Sequence, residues 1–446
     1  MTTATAATAT GVGDARGVPA STRRVVMFVY GDVQHDSRVL REAGSLAAAG
    51  HEVTVIARPA DPASSAGGVE HRDGFEVRTI PVPGRWRRPW RILGLPARLL
   101  AGLIDRIAPG VRAGETLSWL VIWRFAVGGW ARAAAAAAPP AEVYHGHDLT
   151  GLPAAVGASR RNGGVIVDDS HEILLESGAY IRRPEWVRRR IAGGERAMLV
   201  ECSAIVSVND ELIAELGRRY TLPDLAVAVH NCPPRWDPPD APDGRLRAAL
   251  GVGPDVPVAL YHGTFGRDRG LEQLAETILE PGLERVHAAF LGYGSGRGRL
   301  ERLAAEPRFG GRLHVVDAVL PEELLGWVSG ADVDVLALQP TTLNHRLSTP
   351  NKLFEAIAAG VPVVASDFPA IRAIVIDDPD GPLGEVCDPT DPQAIAAAIR
   401  RVVDAPTADR AALRARCLAA AHGRWNWETE SARLIELYRR LGEVEP

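Results

Sequence analysis

Hydrophobic positions form short continuous runs that alternate with stretches of helical spacing. The first run, "RRVVMFVY", has the length of a buried strand. In "SRVLREAGSLAAAG" the apolar positions recur every three or four residues and Gly50 marks the end, which predicts a helix. Continuous apolar strands that alternate with helices indicate a parallel sheet covered on both faces. Later runs that predict strands are "HEVTVIA", "AEVYHGHD", "GGVIVDDSHE" and "CSAIVSVND".

The alternation is interrupted at residues 230–244, "HNCPPRWDPPDAPDG", where five residues are proline and a linker is expected. It resumes afterwards, and an amphipathic helix ends the chain. The runs that predict strands here are "VPVALYHGTFG", "RVHAAFLGYGSG", "RLHVVDAV", "DVDVLALQ", "VPVVASD" and "GEVCD". We therefore predict an α/β protein of two doubly wound, Rossmann-like domains that face a cleft. Ligands are expected in that cleft, beyond the carboxyl ends of the strands.

The ends of the chain complete the predicted organisation. The first 22 residues lack the basic start and apolar run of a secretory signal, so a disordered tail is expected there. The predicted parts are a tail at 1–22, a first domain at 23–229, a linker at 230–244, a second domain at 245–421, and a helical end at 422–446 that packs back towards the first domain.

Composition narrows the functional classes. A hydrophobic content of 46% and a charged content of 24% are those of a globular protein. The net charge of -5 gives no reason to expect a nucleic-acid partner. No apolar run reaches the length of a membrane span. The four cysteines are widely spaced, which favours buried free thiols in a reducing cytosol. They are Cys202, Cys232, Cys387 and Cys417.

Residues 85–108 combine several arginines with Trp86, Trp90 and a stripe of leucines. Such a segment can lie on an anionic membrane surface. It can equally be a helix packed on the core with a solvated arginine face. We therefore expect a cytoplasmic protein, either free or held peripherally at the inner face of the membrane.

The stretch "LSTPNKLFEAIAAGVPVVASD" contains Lys352, the only lysine in the chain. Thr349 as N-cap and Pro350 in the first position predict a helix that ends before Gly360. A helix N-terminus with a lysine in its first turn suits a phosphate. Glu355, one turn further on, suits the hydroxyls of a ribose beside that phosphate. The alternative is an ordinary surface ion pair between Lys352 and Glu355.

Two glycine turns follow strands of the second domain. "YHGTFGRDRGLEQL" contains Gly263 and Thr264, and then Arg267 and Arg269 before a helix. Glycine lets a backbone approach a ligand, and arginines on such a turn can bind an anion. "FLGYGSG" is a second turn of this kind, although it lacks a full dinucleotide-binding fingerprint. An ordinary loop with solvated arginines is the alternative for the first turn.

Taken in order, these motifs resemble the donor-binding half of retaining GT-B glycosyltransferases of the glycosyl transferases group 1 kind, family GT4. The resemblance also rests on "VLPEELLGWVSGADVDVLAL" and "GEVCDPTDPQAIAAAI". In the first domain, "DVQHDSRVLREAGSLAAAGHEVTVIA", "VYHGHDL" and "VDDSHEI" are similar to the acceptor half. The resemblance covers roughly residues 24–441.

The resemblance implies roles for individual residues. Glu355 matches the glutamate that holds the donor ribose, and Arg269 matches the basic residue that neutralises the leaving phosphate. Asn351 and Lys352 lie where the family contacts the diphosphate and sugar. The remaining donor-binding positions implied are Gly263, Thr264, Arg267, Gly292, Gly294, Val319, Ser348, Thr349, Pro350 and Leu353.

Two positions depart from the family pattern. Members often carry an acid where this chain has Leu347, so the contact to the sugar hydroxyls is missing or comes from His345, Ser348 or Thr349. The arginine that many members place after the first turn glycine is Thr264 here, with Arg267 as the candidate substitute.

On the acceptor side, "HGHDL" places His145 and His147 on one side of a strand end. The pair can be a metal chelate, a catalytic histidine or an accident of the strand end. The resemblance assigns His147 a catalytic place against the donor sugar. "SHEIL" lacks the second histidine of HExxH, so His171 and Glu172 either face the cleft or cap a strand. The predicted acceptor-binding residues are Asp32, His35, Asp36, His171 and Glu172.

The function predicted is transfer of a sugar, with retention, from a nucleoside-diphosphate sugar to an acceptor hydroxyl. The acceptor is a small molecule, a glycan or a lipid-linked glycan, and no metal or other cofactor is expected. Three alternatives remain. They are a metal-dependent transferase that uses Asp332 and Asp334 as a DxD motif, a nucleotide-sugar epimerase of the same architecture, and a non-catalytic glycan-binding pseudo-transferase.

Overall fold

The computed structural model describes residues 22–61, 64, 66–82, 99–107, 113–178, 180–239 and 243–443. The predicted tail and most of the arginine-rich part of residues 85–108 lie outside these ranges. The described chain forms two α/β domains, each built on its own sheet. The prediction of two doubly wound domains is therefore confirmed.

The first domain contains an eight-stranded sheet with the order β3-β4-β2-β1-β5-β6-β7-β8. Its strands are parallel except for β3, which pairs antiparallel with β4 at one edge. The strands are β1 (Arg24–Val29), β2 (Glu52–Ala57), β3 (Gly68–Arg72), β4 (Phe75–Thr79), β5 (Val143–His147), β6 (Val165–Ser170), β7 (Ala204–Ser207) and β8 (Leu225–Ala228).

Helices cover both faces of this sheet. Asp36 and Asn209 begin two of them by accepting hydrogen bonds from backbone N–H groups of the first turn. The helices are α1 (Ser37–Ala48), α2 (99–107), α3 (Ala113–Val121), α4 (Gly128–Ala137), α5 (Asp148–Asn162), α6 (Glu185–Leu199) and α7 (Asp210–Arg219). A π-helical segment, Ile122–Val127, joins α3 to α4.

The second domain contains a six-stranded parallel sheet with the order β11-β10-β9-β12-β13-β14. Its strands are β9 (Val258–Thr264), β10 (His287–Tyr293), β11 (Leu313–Asp317), β12 (Val333–Leu336), β13 (Val363–Ser366) and β14 (Gly384–Cys387). Its helices are α8 (Arg245–Leu250), α9 (Leu271–Thr277), α10 (Arg297–Ala304), α11 (Leu324–Val328), α12 (Leu343–Leu347), α13 (Asn351–Ala358), α14 (Pro369–Val375), α15 (Pro392–Val403) and α16 (Thr407–Gly423).

A last helix, α17 (Trp427–Leu441), returns to the first domain. Its Leu434 and Tyr438 are fully buried in the same apolar cluster as Val25 and Met27 of β1. The indole N–H of Trp427 donates to the hydroxyl of Ser45, at 2.9 Å. The two domains are thus joined twice, by the segment that leaves β8 and by this helix.

Two amide side chains connect the domains across the cleft. Asn209 Nδ2 donates to the carbonyl of Leu347 at 2.7 Å. Asn344 accepts from the backbone N–H of Ile173 and donates to its carbonyl, both at 3.0 Å. These bonds bring the start of α13 opposite the carboxyl ends of the first sheet.

The structure bears on three further predictions, which concern the cysteines, membrane-spanning helices and residues 85–108. All four cysteines are buried and free, as expected. None of the described helices is long and apolar enough to cross a bilayer. Of residues 85–108 the structure describes 99–107 as α2, and there Leu99, Leu103 and Ile107 are 68%, 53% and 77% exposed and only Ala101 is buried, which does not favour core packing of this part.

Candidate active site

Lys352, in the first turn of α13, points towards Tyr261 of β9. The Nζ atom of Lys352 donates to the hydroxyl of Tyr261 at 2.7 Å and lies 3.9 Å from the ring centroid. That hydroxyl donates in turn to the carbonyl of Thr264, at 2.8 Å. Burial, helped by the charge of Arg269, lowers the pKa of Lys352 to about 7. The amine is therefore held beside the first glycine turn and lacks a carboxylate partner among the described residues.

The helix start differs from the prediction in its cap. Pro350 is the N-cap residue and makes no side-chain cap bond. The Thr349 hydroxyl instead accepts from Asn209 Nδ2, at 3.2 Å. Thr349 therefore helps to hold the two domains together, and its assignment as N-cap is wrong.

Glu355 does not form the surface ion pair with Lys352 that the sequence allowed. Its Oε2 atom lies 3.0 Å from Nε2 of His262. His262 is 1% exposed, and its Nδ1 atom lies 2.7 Å from Oδ2 of Asp334. Burial alone would lower the pKa of His262, but Asp334 and Glu355 together raise it to about 9. Sequence reasoning missed His262, although it directly precedes the glycine turn.

The DxD alternative finds no support in these positions. Asp334 is fully buried against His262. Asp332 accepts from Arg247 at 2.7 Å and from the N–H of Val258 at 2.8 Å. The two carboxylates thus bind different partners, Asp332 at the start of β9 and on α8 and Asp334 near the end of β9, and do not share a site.

The two glycine turns pack against each other. Gly263 has a φ of +106°, and a Cβ atom there would lie 3.3 Å from Nζ of Lys352. A Cβ atom on Gly292 would lie 1.9 Å from the carbonyl oxygen of Gly263. One on Gly294 would lie 2.8 Å from the carbonyl oxygen of Phe265. The second turn needs its glycines to pack beside the first one, and the first needs glycine to leave space for the lysine.

Two arginines on the first turn are free to bind an anion. Arg267 is exposed and Arg269 is half-buried, and neither has a hydrogen-bond or ion-pair partner among the described residues. Arg269 lines a cavity of about 200 Å³ together with His345 and Ser348. An unpaired guanidinium in a cleft is suited to phosphate oxygens.

The other predicted donor positions divide into two groups. Ser348 and the exposed Asn351 line a second cavity of about 460 Å³. Val319 is half-buried against an apolar cluster, and Leu353 is fully buried, so their side chains face the core of the domain. The side chain of Leu347 is also buried. The three polar residues proposed to replace the missing acid, His345, Ser348 and Thr349, each line one or both of these cavities.

On the opposite wall, His145 and His147 lie on the same face of β5, as predicted, with ring centroids 4.6 Å apart. His147 Nδ1 lies 3.1 Å from Oδ2 of Asp169, and its buried Nε2 atom has no hydrogen-bond partner among the described residues. His145 Nδ1 lies 2.7 Å from the hydroxyl of Tyr438. Asp169 therefore fixes the ring of His147, and α17 fixes that of His145.

A buried arginine holds this wall together. Arg38 donates to both oxygens of Asp169, at 3.0 and 2.9 Å, and to the carbonyl of Val229 at 2.6 Å. Its Nε atom also lies 3.0 Å from Glu42. Burial and the charge of Asp169 raise the pKa of Glu42 to about 8, against the opposing charge of Arg38.

The sequence allowed His145 and His147 to bind a metal ion, and the structure places two carboxylates beside them. Potential ligand atoms of Glu42, His145, His147 and Asp169 all lie within 4.8 Å of one another. However, Arg38 already places a permanent positive charge against both carboxylates. The donor set fits a buried ion network better than a divalent cation.

His171 belongs to the same wall. Its Nε2 atom lies 2.9 Å from Asp169, and its backbone N–H donates to Asp148 at 3.0 Å. Burial would lower the pKa of His171, but these two carboxylates raise it to about 10. Glu172 is exposed, and its carboxylate lies 3.4 Å from Nδ2 of Asn344 in the other domain.

The loop after β1 contributes two aspartates. Asp32 accepts from the N–H of Gln34 at 3.1 Å, and Asp36 accepts from that of Val39 at 3.2 Å. Both line the cavity of about 460 Å³, together with His171. The side chain of His35 is not among those that the structure describes. The cavity therefore has one wall from the predicted acceptor side and another from the start of α13.

The two sheets, the cleft and the group of cations at the start of α13 define a two-domain glycosyltransferase of the GT-B type. The family described as Glycosyl transferases group 1 matches residues 256–405, and the one described as Glycosyl transferase 4-like domain matches residues 36–233. The chain belongs to this group 1 glycosyltransferase family and is a glycosyltransferase.

Individual relatives agree with this assignment. The chain is 28% identical to a D-inositol 3-phosphate glycosyltransferase of Xylanimonas cellulosilytica, over 80% of this chain and 83% of the relative. Sucrose-phosphate synthase from Thermosynechococcus elongatus shares the fold with a TM-score of 0.67 and 19% identity, over 95% of this chain and 100% of that one. An Anabaena protein in complex with UDP has a TM-score of 0.65 and 14% identity, over the same shares.

Proposed function

We propose that this protein transfers a sugar from a nucleoside-diphosphate sugar to an acceptor hydroxyl, with retention and without a metal ion. One observation carries the proposal. A half-buried lysine, a carboxylate with one open oxygen and Arg269, which has no partner among the described residues, lie close together at the start of α13. Such a set suits a diphosphate bound next to a ribose.

In this proposal the diphosphate lies between the start of α13 and the first glycine turn. The backbone N–H groups of Asn351 and Lys352 point out of the helix start, where an anion is favoured. The Lys352 ammonium and the Arg269 guanidinium then neutralise the phosphate oxygens. Glu355 accepts hydrogen bonds from the ribose.

The reaction requires stabilisation of a leaving group. As the bond between C1 and the phosphate oxygen breaks, its electron pair passes to the β-phosphate. Lys352, Arg269 and the helix start oppose this growing negative charge, which is a preorganised electrostatic role. The acceptor oxygen bonds to C1 on the face from which the phosphate departs, and its proton passes to that phosphate. The resemblance places His147 against the sugar; in the free protein Asp169 fixes its ring, which is 1% exposed, and its Nε2 atom is buried.

A thermal-shift screen with UDP, GDP, ADP and dTDP and their sugars, with and without EDTA, tests the proposal. A ligand that binds only the folded state raises the midpoint of unfolding. We expect a shift with one nucleotide that persists in EDTA and disappears in Glu355→Ala. UDP is the first choice, since a structurally similar Anabaena protein was solved with it. Loss of the shift in EDTA would support the metal-dependent alternative.

Turnover separates the remaining alternatives. A transferase consumes the nucleotide sugar only when an acceptor is present, apart from slow hydrolysis. Conversion of the donor to an isomeric nucleotide sugar without any acceptor would identify an epimerase. Binding without turnover over a panel of polyol, glycan and lipid-linked acceptors would favour a pseudo-transferase.

Donor binding should be coupled to proton uptake at Lys352. In the free protein the pKa of this amine is lowered to about 7, and a bound diphosphate should raise it again. Affinity is then greatest below pH 7 and decreases as pH rises above 7, by up to about tenfold per unit. Calorimetry with UDP at pH 8, in buffers of different ionisation enthalpy, should show uptake approaching one proton. Lys352→Met should abolish this uptake; an unchanged uptake in that variant would assign the proton to another group.

We also propose that the protein contacts an anionic membrane through residues 85–108. Leu99, Leu103 and Ile107 present an exposed apolar stripe on α2, and the sequence directly before it is rich in arginine. Apolar and basic groups on one segment are typical of helices that lie on anionic lipid.

Sedimentation with vesicles tests this contact. The protein should sediment with vesicles that contain anionic lipid and not with neutral ones, and added salt should weaken the binding. Leu103→Asp combined with Ile107→Asp should abolish it. Val200→Asp, at an equally exposed apolar residue outside the segment, is the matched control. Equal sedimentation of both variants would contradict the proposal.

A further inference from the structure

A buried histidine stands between two carboxylates below the proposed ribose site. His262 Nδ1 lies 2.7 Å from Asp334, and its Nε2 atom lies 3.0 Å from Glu355. With a carboxylate at each ring nitrogen, the ring is best satisfied as a cation that donates both hydrogen bonds. Nothing in the proposed chemistry so far uses His262 or Asp334.

The three residues belong to three different elements. His262 lies near the end of β9, Asp334 lies on the neighbouring strand β12, and Glu355 lies on α13. The pairing of Leu260 with Asp334 fixes the two strands relative to each other. The sheet therefore sets the position of the imidazole, and the imidazole in turn contacts the helix carboxylate.

The hydrogen bond leaves Glu355 with one open oxygen. Oε2 is held by His262, whereas Oε1 has no hydrogen-bond partner among the described residues. The Glu355 side chain keeps 21% of its surface exposed, while those of His262 and Asp334 keep 1% and none. The carboxylate thus presents one oxygen to the cleft and binds the interior with the other.

We infer that His262 is a positioning residue that selects ribonucleotides. By holding Oε2 of Glu355, it points Oε1 at the ribose hydroxyls, and Asp334 keeps the imidazole in the orientation and charge state that this needs. Without His262, Glu355 could turn towards Lys352, one helical turn earlier, and withdraw from the cleft. The inference rests on the proposed function, which places the donor ribose at Glu355.

The charges around His262 give this role a pH dependence. Asp334 faces it from β12, and Glu355 faces it from α13, which also carries Lys352. The two carboxylates raise the pKa of His262 to about 9 in spite of its burial. The second hydrogen bond to a carboxylate is therefore present below about pH 9 and is lost as pH rises through that value. Asp334→Asn removes the largest raising influence, so it should shift this loss to lower pH.

Equilibrium binding of UDP, ADP and GDP beside their 2′-deoxy forms tests the inference. For the nucleotide that binds, wild-type protein should prefer the ribo form by about tenfold or more, since the deoxy form leaves a charged acceptor unpaired. His262→Leu combined with Asp334→Leu replaces the buried pair by apolar groups of similar size, which proteins often tolerate. This variant should lose most of the preference, while its affinity for the deoxy form stays within about twofold of wild type.

The outcomes separate the inference from the proposed function. An unchanged preference in the double variant would overturn the inference, and so would an equal loss of affinity for both forms, which indicates a merely structural role. No preference in wild type would overturn it as well. Glu355→Ala tests the proposed function itself. If Glu355→Ala lowers ribonucleotide affinity but the double variant leaves the preference unchanged, the proposed function survives and the role of His262 fails.

Discussion

Replacing Lys352 by alanine should lower turnover by about 10²–10³-fold, the usual cost of removing one preorganised group that stabilises charge in a transition state. Lys352 lies in the first turn of α13, half-buried beside Tyr261, and its amine reaches no carboxylate in the described part of the chain. Its charge is therefore available for the leaving phosphate. Initial rates with saturating nucleotide sugar measure the effect on kcat.

The same substitution should leave the fold intact. The amine makes one hydrogen bond, to Tyr261, and burial already disfavours its charged form. We expect the unfolding midpoint of Lys352→Ala to match that of wild type within a few degrees. Lys352→Arg, which keeps the charge but changes its shape, should restore part of the activity. Full turnover in Lys352→Ala would remove the lysine from the mechanism.

Replacing Arg38 by methionine should reduce the free energy of unfolding by about 3–5 kcal/mol, the typical cost of leaving buried charges without their partner. Arg38 donates to Asp169 through two nitrogens and also lies 3.0 Å from Glu42. Its removal leaves these carboxylates inside the first domain with only histidines beside them. Urea denaturation, followed by circular dichroism, measures the change.

A matched control uses an arginine whose ion pairs are solvated. Arg439 pairs with Glu436 and Glu443 on the surface of α17. Arg439→Met should change stability little, because solvent and salt screen such pairs. Equal free energies of unfolding for Arg38→Met and Arg439→Met would show that the network around Asp169 stabilises the fold no more than a surface ion pair does.

The sequence predicted the elements whose signal is local. Most strands of the two sheets appear as continuous apolar runs because both faces of each sheet are covered. Three strands of the first sheet, β3, β4 and β8, were missed: β3, "GVEHR", is almost entirely exposed and carries no apolar run, and β8 is only four residues long. Lys352 and Glu355 were found because they share one helix, where spacing along the chain determines proximity.

The parts of the site that the sequence did not predict depend on tertiary contacts between residues far apart along the chain. His262 and Asp334 are 72 residues apart, and Arg38 and Asp169 are 131 apart. No local pattern places such pairs together. The assignment of Thr349 as N-cap was wrong for a related reason, since its hydroxyl accepts a bond from Asn209 in the other domain. A preference measured on isolated helices does not anticipate such a partner.

The presence of one lysine in the whole chain has a practical consequence. An amine-selective reagent has only two kinds of target on this polypeptide, the N-terminal amine and the Lys352 amine. With its pKa lowered to about 7, a large share of the Lys352 amine is uncharged, and therefore nucleophilic, at neutral pH. Reductive methylation with ¹³C-formaldehyde would then place a single side-chain NMR probe inside the proposed donor site. Its chemical shift would report donor occupancy directly, without any mutation of the enzyme.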